Sequence, residues 1–113
     1  KNFDFKDHLF VGEYDDPHRE VDFVYEVLKS KGVMNAMLEG GSGINGTFFM
    51  AGAIDMFMYI IAPKVAGNGI PPIKGEPIEK IADSLLLYDV TSATIGPDLL
   101  FCGYREQYNF EMM

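Results

Sequence analysis

Between Leu38 and Phe48 the chain reads Glu-Gly-Gly-Ser-Gly-Ile-Asn-Gly-Thr, residues 39–47, and here its residue types point to chemistry. The stretch holds one carboxylate and four glycines, where an apolar run ending at Leu38 gives way to an amphipathic run beginning at Ile44. Glycine lacks a Cβ and can adopt positive φ, so backbone amides at such a strand-to-helix junction can approach an anion closely. The stretch reads as a phosphate cradle with an acid beside it. Spacing alone leaves a second reading open, in which the glycines serve only a tight turn.

The surrounding elements must place that junction at the end of a strand. Residues 8–13, HLFVGE, are an apolar run bounded by charge and read as a buried strand. Asp16 before Pro17 is a helix start, and Val21, Val24, Tyr25 and Leu28 share one face of a helix over 17–31 that Gly32 terminates. A rival start caps at Asp22, since Val21, Phe23, Tyr25 and Val27 also alternate as in a strand. Residues 33–38 form the strand that enters the junction. A helix over 43–52 follows, with Ile44, Phe48 and Ala51 as its stripe and Gly52 closing it.

Residues 56–62, MFMYIIA, are apolar on both parities, as in a strand covered on both faces of a largely parallel sheet. A right-handed crossover between 33–38 and 56–62 would open the junction at the carboxyl edge of the sheet, where ligands bind in open α/β folds. Residues 63–75 are too rich in glycine and proline for a regular element and read as a loop able to fold over a site. A short helix over 77–83 precedes two β-rich runs, 84–90 and 99–105. Their connector, Thr91 to Asp98, is short enough for an antiparallel hairpin, and residues 108–113 read as a tail.

Composition narrows the partners. With 113 residues, 48% apolar and 23% charged, the chain has material for one core and is short for an enzyme enclosing a dinucleotide and a second substrate. One domain, or half of a larger one, is the choice. Seventeen acidic against nine basic residues give a net charge of −8, a field that repels nucleic acid yet allows a phosphorylated small ligand held by local amides. A single cysteine, Cys102, excludes an internal disulfide and reads as a buried strand residue in a reducing compartment. No signal peptide or membrane span is visible, because the apolar run 54–65 carries Asp55 and Lys64 and is too short, so the expectation is a cytoplasmic protein. The sequence opens on Lys1 without an initiator methionine, as a processed or cleaved piece of something longer would.

Residues 38–69, LEGGSGINGTFFMAGAIDMFMYIIAPKVAGNG, carry a longer pattern. A strand ends in Glu-Gly-Gly, a helix carries Ile-Asn-Gly, and an Ala-Gly, aliphatic, Asp step leads to an apolar strand closing in Ala-Pro before a glycine-rich loop. This resembles the central signature of the riboflavin-biosynthesis reductases, the C-terminal reductase domain of the bifunctional deaminase-reductases. The resemblance implies an α/β, dihydrofolate-reductase-like fold, a mostly parallel sheet flanked by helices with a C-terminal antiparallel hairpin. It also implies reduction of the ribosyl group of a phosphorylated ribosylaminopyrimidine to ribityl by hydride from NADPH, in a homodimer. By the same resemblance Glu39 contacts substrate, while Gly40, Gly41, Ser42, Gly43, Ile44, Asn45, Gly46 and Thr47 bind the cofactor. Backbone amides would take its pyrophosphate, and Ser42, Asn45 and Thr47 would add side-chain hydrogen bonds.

The chain departs from the family in two ways. Met56 follows Asp55 where an acidic residue is usual, which argues against a catalytic role there. The resemblance covers most of 33–106, about the second half of such a domain, and the family's N-terminal Ser-Leu-Asp-Gly-like segment and phosphate-holding basic residues have no counterpart. No catalytic residue is therefore assigned. Lys64 near the sheet mouth could meet a phosphate, although an exposed lysine is the default. His8, His18 and Cys102 make no metal spacing, so no metal is expected. Phe48, Phe49, Met50 and Met58 read as core. Two rival functions share the pattern, a dihydrofolate-reductase-like enzyme of other specificity and a non-catalytic binding remnant.

Overall fold

The computed structural model describes residues 17–107, and the expected strand over 8–13 and the tail after 107 lie outside them. Helix α1, Pro17–Ser30, begins with proline in its first turn, where a missing N–H breaks no helical bond. Its whole length is helical, so the alternation of Val21, Phe23, Tyr25 and Val27 does not make a strand. Gly32, at φ +65°, stops it. The Gly32 amide donates to Lys29 O and the Val33 amide to Leu28 O, a Schellman pair that satisfies the last carbonyls.

Helix α2, Ser42–Met50, ends in the same way. Gly52, at φ +69°, donates to Phe49 O, and Ala53 donates to Phe48 O. A β-carbon on Gly52 would lie 3.1 Å from an Arg105 guanidinium nitrogen, so that cation rests on the carbonyl end of the helix, where the helix dipole favours it. The Tyr25 hydroxyl donates to Ala53 O at 3.3 Å and ties α1 to the exit of α2.

The sheet holds three described strands, β1 (Met56–Ile61), β2 (Tyr88–Ile95) and β3 (Asp98–Tyr104), in the order β1-β3-β2. Both pairings are antiparallel. The hairpin is longer than the sequence suggested: β2 runs on to Ile95 and turns through Gly96 and Pro97 alone. Gly96 has φ +56° and precedes a residue whose φ is fixed by its ring, the residue pattern of a type II′ turn. The β-branched residues Thr91, Thr94 and Ile95, expected in the connector, extend the strand instead. A register shift between Tyr88 and Thr91 marks a bulge, with Asp89 at φ +50°. In the segment before β2 only Ile81–Asp83 is helical, as one 3₁₀ turn.

Two expectations are corrected. Residues 33–38 form no strand, and the described sheet contains no parallel pair. A segment apolar on both faces reveals that it suits a sheet interior but cannot provide the neighbours that make a ladder. The second correction concerns the core, which among the described residues consists of Val21, Phe57 and Cys102. Met50 and Met58, read as core, are about half exposed, and Ile44 of the expected helix stripe is exposed too. The buried position of α2 is Gly46.

Candidate functional site

The first hydrogen bond of α2 runs from Asn45 N to Gly41 O at 3.0 Å. The amides of Ser42, Gly43 and Ile44 precede it and have no acceptor within the helix. Gly41 is the N-cap, in extended geometry, and brings no side chain to satisfy them. These donors point out of the helix start with the positive end of its dipole behind them.

The four glycines divide by what surrounds them, and none has positive φ. A β-carbon on Gly41 or Gly43 would meet nothing within 4 Å, so the space over the helix start is open. One on Gly40 would lie 2.9 Å from the Ile44 side chain and 3.2 Å from Asn45 Oδ1. One on Gly46 would coincide with the carbonyl of Lys74. Gly40 and Gly46 are thus required by packing, and Gly41 and Gly43 leave an approach free.

Polar side chains divide similarly. Asn45 Nδ2 donates to Gly40 O and to Pro72 O, both at 3.0 Å. Thr47 Oγ1 donates to Gly43 O one turn back, at 3.2 Å. Ser42 Oγ is buried and has no hydrogen-bond partner among the described residues. Glu39 is exposed, one residue ahead of Gly40. Ser42 is therefore the hydroxyl left over at the cradle, whereas Asn45 and Thr47 hold the junction itself together.

Residues 63–75 read in the sequence as a loop able to fold over a site, and the end of that loop, 72–75, does cross α2. The Lys74 amide donates to Ser42 O at 3.1 Å, and with the bond from Asn45 to Pro72 it binds this end of the loop across the first turns of α2. The signal lay in Gly46, a glycine in mid-helix with no turn to make. Beyond this strap opens a cleft of about 430 Å³, lined by Phe49, Phe57, Tyr59, Ile73, Glu76 and Leu87 among others. Phe49 meets Phe57 edge-on at 6.1 Å. Burial beside this cleft raises the pKa of the Tyr59 phenol.

Lys64 is exposed, and Asp55 meets β3 through its backbone, where its carbonyl accepts from Arg105 N at 2.9 Å. Among the described residues no three His, Cys, Asp or Glu side chains gather as a metal site, and no helix is long and apolar enough to cross a membrane.

Residues 14–101 match the family described as the RibD C-terminal domain. The chain belongs to this family. It is 32% identical over 78 residues to the riboflavin biosynthesis protein RibD of Bacillus amyloliquefaciens, a match covering 67% of this chain and 21% of that protein. It is 35% identical over 86 residues to the 2,5-diamino-6-ribosylamino-4(3H)-pyrimidinone 5′-phosphate reductase of Methanothermobacter thermautotrophicus, covering 73% of this chain and 40% of that one. The chain thus spans less than half the length of these relatives. Its fold is similar to that of Acinetobacter baumannii RibD, with a TM-score of 0.63 at 18% identity over 85% of this chain and 25% of the other.

Proposed function

We propose that this chain forms the second half of a reductase domain that reduces the ribosyl group of a phosphorylated ribosylaminopyrimidine to ribityl in riboflavin biosynthesis. The observation that carries the reading is the start of α2. Three amides without helical acceptors, the open space over Gly41 and Gly43, and the orphaned Ser42 hydroxyl converge one step after the Glu39 carboxylate. The matched family and the similarity to the Methanothermobacter reductase support the reaction class.

The donor set fits a pyrophosphate, because amides and a hydroxyl at a helix start favour an anion without placing a charged side chain against it. NADPH, when bound, would supply the hydride. The Ser42, Gly43 and Ile44 amides would hold its pyrophosphate with the Ser42 hydroxyl. Gly41 and Gly43 would let it approach, and Glu39 would accept hydrogen bonds from substrate hydroxyls on the other side. Gly40, Asn45, Gly46 and Thr47 would serve the cofactor by keeping the junction and the 72–75 strap in shape. Hydride transfer needs such positioning more than acid–base strength in this half of the site. A homodimer in the cytoplasm is supported by the family resemblance alone, and sizing of the intact protein tests the dimer.

Titration of the intact protein with NADPH, followed by quenching of cofactor fluorescence, and NADPH oxidation with the pyrimidine substrate test the reading together. Binding with turnover is expected. Absence of cofactor binding would overturn it, and binding without turnover would favour a reductase of other specificity or a non-catalytic remnant.

A further inference from the structure

The proposed cradle receives an anion with no cation of its own. From Glu39 to Pro63 the sequence holds no lysine, arginine or histidine, and its two charged side chains, Glu39 and Asp55, are both acidic. A helix start contributes only about half a positive charge. Against it stand a pyrophosphate ionised on both phosphates and a chain that carries −8 overall. A compensating cation has to arrive from a neighbouring element.

The strap brings one. Asn45 Nδ2 joins Pro72 O to Gly40 O at the entrance of α2, and two residues further on the Lys74 amide donates to Ser42 O at 3.1 Å. The lysine main chain thus touches the residue whose own amide lacks a helical acceptor and whose buried Oγ has no partner among the described residues. Ile73 and Gly75, on either side of it, line the cleft, whereas Lys74 is absent from that lining and exposed. Among the described residues its ammonium has no ion-pair partner. A lysine stem is flexible and ends in a compact point charge. From a main chain anchored on Ser42, that charge can swing over the helix start without disturbing the bond that anchors it. Other cations are placed differently: Arg105 lies over the carbonyl end of α2 at Gly52, and Lys64 is exposed at the opposite end of the loop.

We propose that Lys74 is the cation of the cradle, its ammonium pairing with the cofactor pyrophosphate that the Ser42, Gly43 and Ile44 amides hold. The strap is then part of the binding site as well as its support. The inference rests on the proposed cofactor site, and NADPH binding by the parent protein is the control that keeps the two apart.

NADPH is titrated into the intact protein across a salt series, with quenching of cofactor fluorescence as the readout, for the parent, Lys74→Gln, Lys74→Arg and Lys64→Gln. Lys74→Gln should weaken binding about three- to fivefold at low salt, the range of an exposed charge pair. It should also flatten the salt dependence, since the parent's pair is screened as the Debye length falls from about 30 Å at about 0.01 M salt to about 3 Å at about 1 M. Lys74→Arg keeps the charge and should keep the parent's salt response, and Lys64→Gln should match the parent. The Lys74 amide is untouched by these changes, so its hydrogen exchange and the urea midpoint should stay as they are in Lys74→Gln. A merely structural lysine would move those two and leave the salt response alone, which would overturn the inference. Parent-like affinity and salt response in Lys74→Gln would overturn it too while the cofactor site stood. So would equal losses in Lys74→Gln and Lys64→Gln, which would reduce the effect to net charge. A parent that binds no NADPH at any salt would overturn the cofactor site, and the role of Lys74 with it.

Discussion

The carbonyl of Lys74 occupies the space that a β-carbon on Gly46 would fill. The contact fixes the distance between the strap and the helix that opens the candidate site. Gly46→Ala must push the two apart. Overpacking of this kind costs about 1–3 kcal/mol, so the urea midpoint should fall, and exchange of the Lys74 amide should accelerate. Unchanged stability would mean that the strap does not seat on α2.

Gly41 predicts the opposite behaviour. Its Cβ direction is open, so Gly41→Val adds a branched side chain where only a ligand would feel it. NADPH affinity of the intact protein should drop at least tenfold, about 1.4 kcal/mol, with the unfolding midpoint close to wild type. A variant that binds as well as the parent would show that these glycines serve the turn alone.

Asn45 joins two carbonyls that are distant in sequence, Gly40 O and Pro72 O. Asn45→Ala leaves both without this donor. A loss of about 1–3 kcal/mol is expected from the part-buried acceptor left at Gly40, and release of the exposed Pro72 carbonyl should speed exchange at Ile73 and Lys74. If Asn45 instead acted mainly on cofactor, affinity would fall while exchange in the strap stayed unchanged.

The Tyr59 phenol has its pKa raised by burial. The folded state therefore holds that proton to higher pH than the unfolded chain does. Its contribution is present below the ordinary tyrosine range and is lost as pH rises through and above it. Stability should decline in that alkaline window, and Tyr59→Phe should flatten the decline, as read from chemical denaturation at a series of pH values.

What was legible in the sequence was whatever is fixed locally. Pro17 and Gly32 bound α1, Gly52 closes α2, and Cys102 lies buried in β3, each through chemistry confined to a few residues. The junction at 39–47 was located by its composition. Its internal division was not, because the roles of Gly46 and Asn45 depend on Lys74 and Pro72, more than 25 residues away, and no local pattern reports such a contact. Residues 33–38 failed as a strand for a related reason: pairing is a property of neighbours, and none among the described residues is beside them.

The two-residue turn at Gly96 and Pro97 has a kinetic consequence. It brings β2 and β3 together across almost no intervening chain, so their pairing closes at little entropic cost and on the microsecond scale of hairpins. Strand β1 must instead reach β3 across all of residues 62–97, including the glycine- and proline-rich loop. The hairpin is then the template and β1 the late arrival, so destabilising substitutions near Gly96 should slow folding while those in β1 mainly speed unfolding.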